Sequence, residues 1–290
     1  MKSNIYKISK IYTKLFYLLT LINAISFALY IKGNLSFVTV SNVYYSLCLY
    51  PFTLINKKKN IVSTLSIIIV LILSNKRAGV LAFCSGGLMY IIYYNKILKY
   101  KKTLVIGCFL FMGFNFLHQA EIGANLRILK RISIDQMIKD KGSGRLEIYQ
   151  KVINSFFNLS LSEKIFGGNY EEIKKNTGHD NVHNDFIEIL YTKGIIGAIF
   201  FIWIYYKLFK YIFQMKKKEY PLTGVYMFIM IINLILSLLS VYFIDFGYSI
   251  AGVGCNAHLL SDFKKFLNIK ERKKSDQRKC KFSFSIWSKN

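Results

Sequence analysis

Apolar residues in this chain come in blocks. Runs at about 15–31, 35–55, 61–73, 78–94, 103–117, 186–206 and 221–243, with a weaker one near 246–260, are separated by polar stretches rich in lysine. A hydrocarbon core about 30 Å thick needs roughly 20 apolar residues per helix, so these runs read as spans. The short alternating segments of a transmembrane β-barrel are not seen. The predicted fold is an all-α integral membrane protein of about eight transmembrane helices. One interval breaks the rhythm. Residues 118–185, between the fifth and sixth spans, form a hydrophilic stretch too long for an idle connection. From Arg145 onward, Leu146, Tyr149, Val152, Ile153, Phe156 and Phe157 recur every three or four residues and predict an amphipathic helix. Ser143 or Gly144 is its predicted cap, and Glu147 with Lys151 forms a favourable i,i+4 pair. Such a helix would lie on the membrane or across the mouth of the bundle.

Composition agrees: 53% of the 290 residues are hydrophobic and the mean hydropathy is +0.32. A soluble protein this apolar would need a core larger than its length can enclose. A net charge of +25 first suggests nucleic acid, but the lysines sit between the apolar runs, which excludes nucleic acid as the partner. On one side of the predicted spans lie 26 of the 40 Lys and Arg residues, opposed only by Glu219, Asp262, Glu271 and Asp276. The short connections on the other side hold Lys32, Lys76 and Arg77, and residues 118–185 hold 10 basic and 9 acidic residues. The positive-inside rule then makes both termini cytoplasmic and the long loop external. A basic tail inside requires the weak eighth span, with breaks at Gly247, Gly252 and Gly254. The five cysteines are scattered without a C-x-x-C pair, so neither a disulfide framework nor a thiolate metal site is predicted. No small-residue cleavage site follows the first run, which is expected to stay as a span. Three regions result: 1–60 with two spans, a core at 61–243, and a last span with its tail at 244–290.

Candidate chemistry gathers on the predicted outer face. Lys76 and Arg77 lie between two apolar runs, where charge must sit at the interface or in a wet cavity. Arg145 opens the loop helix, and the stretch from His179 to Glu188 leads into the sixth span with His183, Asn184, Asp185 and Glu188 at its mouth. Guanidinium forks suit phosphate, and histidine suits proton transfer. The constellation therefore fits an anionic lipid-linked substrate and acid–base work. Each residue also has a plainer reading. Arg77 with Lys76 can anchor a helix end, Arg145 can be a loop charge, and His183 can help cap the sixth span. Glu188 either orients His183 or lines the cavity, and Arg127, Lys130 and Arg131 form a basic face for phosphate, headgroups or solvent. His179 and His183, flanked by Asp180 and Asp185, invite a zinc site, yet no third strong ligand stands at a recognised spacing. Asp180 or Asn181 is more simply a helix N-cap, and Gly194 and Gly197 allow close helix packing.

Four motifs occur in order: S-N-K-R-A-G (Ser74–Gly79), S-G-R-L-E-I-Y (Ser143–Tyr149), I-F-G-G (Ile165–Gly168) and H-N-D-F-I-E-I-L-Y-T-K-G-I-I-G (His183–Gly197). Together they resemble the bacterial O-antigen ligase and O-antigen polymerase family, over about residues 61–243. The resemblance implies a metal-independent, cofactor-free glycosyltransferase of the cytoplasmic (inner) membrane. It would act on undecaprenyl-diphosphate-linked glycans at the outer face, with a glycan or a lipid core as acceptor. By the same resemblance, Arg77 and Arg145 bind the diphosphate and His183 acts as or beside the base. Lys76, Asn184, Glu188, Arg127 and Arg131 then complete the substrate site. A chain-length regulator and a flippase are the protein partners implied. Family members usually carry several more spans before this core than the two found here, so a short variant and an inactive remnant both stay open. Polymerase is the preferred activity and ligase the alternative. A rival of another class is a transport or assembly subunit, for which repeat symmetry is expected and not seen.

Overall fold

The structure, a computed structural model, describes residues 4–31, 43–55, 60–74, 76–93, 144–178, 182–240, 257 and 260–270. Among these residues every regular element is a helix. Helix α1 (Asn4–Ile31), α2 (Val43–Thr53), α3 (Asn60–Ser74) and α4 (Arg77–Tyr93) are followed by the loop helices α5 (Arg145–Asn158), α6 (Leu161–Phe166) and α7 (Tyr170–Thr177). Helix α8 (Asp185–Lys217) and α9 (Thr223–Leu239) complete the bundle. Two of them, α1 and α8, are long and apolar enough to cross a membrane, and α3, α4 and α9 are shorter apolar helices. The span predicted at 103–117 lies outside the described residues, as does that at 246–260 except for 257 and 260. Helix α1 starts well before the apolar run at 15, because Lys7, Lys10 and Lys14 are good helix formers and Ile5 and Phe16 are buried on its inner face.

Packing centres on α4 against α9, with α2 beside them. Small residues set the approach. A Cβ on Gly86 would come within 2.2 Å of the Phe228 ring, and one on Gly224 within 3.1 Å of the Tyr90 carbonyl oxygen. Around this seam Tyr50 lies edge-on to Phe83 at 5.3 Å and to Phe228 at 5.6 Å between centroids. Water-free packing also favours hydroxyls that find a partner. The Tyr50 hydroxyl meets Thr64 Oγ1 at 2.8 Å, Tyr205 meets Ser237 Oγ at 2.9 Å, and Asn23 Nδ2 donates to Ser46 Oγ at 3.2 Å. Gly86→Ala is accordingly expected to lower the thermal unfolding midpoint in detergent, at a cost of about 1–3 kcal/mol for overpacking. An unchanged midpoint would mean that α4 and α9 do not meet at this seam.

Two polar ends result. At one end the Lys216 ammonium stands 4.5 Å from the Tyr93 ring centroid, and the Tyr220 hydroxyl donates to Asp262 Oδ2 at 2.7 Å. Lys270 Nζ donates to the Lys218 carbonyl at 3.2 Å, which holds helical residues 260–270 there. The other end carries the loop helices. Ile148, Val152 and Phe156 of α5 form a second small core with Ile173, Val182 and Tyr191. That corrects the predicted face of α5: Ile148 is buried, whereas Leu146, Ile153 and Phe157 are exposed. The side chains of α5 pack where α7 and α8 approach it, and helical spacing alone does not reveal which part of a wide apolar arc that will be. The cap is Gly144, in the left-handed region at φ 77° and without a side-chain capping bond.

The sixth predicted span, 186–206, falls within α8, which is not one straight helix. Helix α8 is broken at Gly194, whose φ of 64° and ψ of −170° are reached almost only by glycine. Its first nine residues, with buried Asp185, Glu188 and Tyr191, belong to the loop assembly. The exposed apolar belt of Ile195, Ile196, Ile199 and Phe200 begins only after the kink. From Ile195 to Lys217 the helix runs about 34 Å at 1.5 Å per residue, enough for a hydrocarbon core.

Candidate functional site

The histidine turn is held from both sides. Val182, fully buried, donates its N–H to Glu188 Oε2 at 3.0 Å. Asn184 is the N-cap of α8, and its Oδ1 accepts from the N–H groups of Phe186 at 3.0 Å and Ile187 at 3.1 Å. Between these anchors His183 adopts φ 57°, a left-handed backbone that is uncommon for a residue with a side chain though more frequent for histidine than for most. Such a conformation persists only where its surroundings over-determine it, and here both neighbours are tied down. Asn184 is thus the cap of α8, while the predicted caps Asp180 and Asn181 lie outside the described residues.

The turn is stitched to the end of α9 and the start of α5. Asn184 Nδ2 donates to the Leu238 carbonyl at 3.1 Å, and Arg145 Nη1 donates to the Leu239 carbonyl. A helix C-terminus presents unsatisfied carbonyls and partial negative charge, so a guanidinium is a natural partner. The Tyr149 hydroxyl, one turn along α5, donates to the His183 carbonyl at 3.1 Å. Burial pushes the Tyr149 hydroxyl upward, against the opposing effects of the Arg145 charge and a side-chain bond with Asn184, so it stays a donor.

Arg77 opens α4 at this same end, half-buried, with its Nε and Nη2 atoms fully buried. Gly79, in the same turn, faces the Tyr44 ring. Tyr44 in turn shares a side-chain hydrogen bond with Ser240 and lies within electrostatic reach of Arg145. Tyr44, Tyr149 and Ser240 are polar groups of the site that the sequence reading did not single out. Their only signal is a hydroxyl near the end of an apolar run or on an amphipathic face. Lys76, half-buried, precedes Arg77. Asn184 and Glu188 have side-chain atoms engaged with protein backbone. Arg127 and Arg131, with Lys130, lie outside the described residues, as do His179 and Asp180. Among the described residues no three His, Cys, Asp or Glu side chains gather where a metal ion could be held.

A membrane protein, helical in all its described elements, with two arginines and a capped histidine turn at one end of its bundle is the class these features define. Within it a particular family model matches: residues 62–202 match the O-antigen ligase family model (Wzy_C). The match spans all four motifs, from Ser74 to Gly197. No curated protein and no solved structure matches the chain.

Proposed function

We propose that this protein is a membrane glycosyltransferase that polymerises lipid-linked repeat units of a surface polysaccharide. The donor is a growing glycan on undecaprenyl diphosphate, and the acceptor is the terminal sugar of a newly exported lipid-linked repeat. What supports the reading is the convergence of the turns bearing Arg77, Arg145 and His183, remote in sequence, at one end of the bundle. His183 takes the proton of the acceptor hydroxyl as its oxygen attacks the anomeric carbon. The bond from that carbon to the diphosphate oxygen breaks, and the lipid diphosphate leaves with its charge held by Arg77 and Arg145. Asn184, Glu188 and Tyr149 position the histidine turn through the bonds described above. Deleting the gene and analysing the surface glycan tests the reading. Loss of all chains longer than one repeat supports polymerisation. Finished polymer stranded on its lipid carrier points instead to the ligase, and an unchanged glycan overturns both.

The same reading puts the loop-bearing end outside the cytoplasmic membrane, from the segregation of 26 Lys and Arg residues to the opposite side. A membrane-impermeant thiol reagent applied to intact cells should modify Ser160→Cys and spare Lys218→Cys, both at exposed positions. The reverse pattern, or equal labelling, would sink the orientation.

A further inference from the structure

Helix α5 is apolar over about half its circumference, and the small core described above uses only part of that arc. Ile148, Val152 and Phe156 are buried, whereas Leu146, Ile153 and Phe157, spaced seven and four apart, form a second stripe left exposed. The opposite face is polar, with Glu147, Lys151, Asn154 and Asn158. The exposed apolar surface continues into α6, where Leu161 is 76% and Phe166 72% exposed, after Phe157 at 67%. A water-facing loop has no reason to expose three such side chains in ten residues.

The fold fixes their level relative to the span. Phe166 is followed by Gly167, and a Cβ on Gly167 would lie 2.2 Å from the Thr192 carbonyl oxygen; one on Gly194 would lie 2.3 Å from that of Ile165. The Gly168 N–H donates to the Tyr191 carbonyl at 2.8 Å. Helix α6 is thus locked, backbone against backbone, to the kink of α8, one residue before the exposed apolar belt starts at Ile195. Phe166 therefore lies level with the start of that exposed apolar belt. Lys164 on α6 and the exposed Lys193 flank that level, where anionic headgroups would meet them.

We infer that Phe157, Leu161 and Phe166 dip into the adjacent bilayer leaflet and seat the loop helices on the membrane surface. The occupant of the exposed stripe is lipid, because the stripe continues a surface that already faces lipid and is edged by cations. The inference is independent of the enzymatic reading, and its readout involves no activity.

The test uses the full chain with Trp203→Phe and Trp287→Phe, reconstituted in phosphatidylcholine–phosphatidylglycerol vesicles with or without brominated acyl chains. Single tryptophans are placed by Phe157→Trp, Leu161→Trp and Phe166→Trp, with Phe200→Trp as the lipid-facing reference and Glu171→Trp as the aqueous one. The first three should emit at shorter wavelength than Glu171→Trp and be quenched by brominated lipid at least twofold more, approaching Phe200→Trp. Water-like, unquenched emission at all three overturns the proposal. Blue-shifted emission without bromine quenching overturns it too, since the stripe is then covered by protein, such as a second copy of the chain.

Discussion

His183→Asn, present at wild-type membrane levels, is expected to lose about 10²–10⁴-fold in glycan transfer, the usual worth of a general base. Asparagine is chosen because it tolerates the left-handed backbone that His183 adopts at φ 57°. A loss in His183→Asn therefore reports on the imidazole rather than on strain, and donor binding should remain. Arg145 separates in the same manner. Its Nη1 anchors the loop to the Leu239 carbonyl, a bond that Lys can imitate with a single ammonium, whereas the fork that would hold a diphosphate is gone. Arg145→Lys should therefore melt like wild type and still turn over poorly, and Arg77→Lys should do the same. Combining the three changes should cost little more than the worst of them, as for residues acting as a unit. Chain length in cells, with transfer rates from purified protein and a lipid-linked donor, is the measurement. Normal long chains from both His183→Asn and Arg145→Lys would reduce these residues to structural parts.

Gly194→Ala should be the most damaging conservative change to the loop assembly. Alanine is strained at φ 64° and ψ −170°, and its methyl would lie 2.3 Å from the Ile165 carbonyl oxygen. Backbone strain costs about 1–3 kcal/mol and a clash of this kind about as much again. Gly167→Ala, at φ 108° and 2.2 Å from the Thr192 carbonyl oxygen, meets the same wall from the other side. The two share one contact, so the double variant should be little worse than either single one. Gly87→Ala, whose Cβ would meet nothing within 4 Å, is the control and should be neutral or stabilise by up to about 1 kcal/mol. Limited proteolysis of residues 144–178 and thermal unfolding in detergent give the readout. Wild-type resistance in Gly194→Ala would show that the kink does not hold α6.

The I-F-G-G motif and the Y-T-K-G segment of the histidine motif are legible in the chain only as two separate strings. Their relation is physical. Gly167 and Gly194 are glycines because two backbones touch there, and each lacks a Cβ for the sake of the other. The same contact divides the predicted sixth span into two stretches with different neighbours. Ile187, Ile189 and Leu190 are as apolar as Ile195 and Ile196, but the first three lie against protein in the structure and the last two are exposed. Hydropathy measures dislike of water and does not distinguish a lipid neighbour from a protein one.

Much was determined by the sequence alone. Blocks of apolar residues make helices, two of them among the described residues long enough to cross a membrane, because unsatisfied backbone groups are too costly in hydrocarbon. Lysine placement predicted which helix ends share a side, and the four motifs resembled the family whose model matches residues 62–202. Only the tertiary structure decided that Asn184 caps α8, that Ile148 rather than Leu146 is buried on α5, and that Tyr44 and Ser240 join Arg145. These facts depend on which helix ends meet. Periodicity along a chain records the direction of each helix face, and carries no information about which neighbour that face will find.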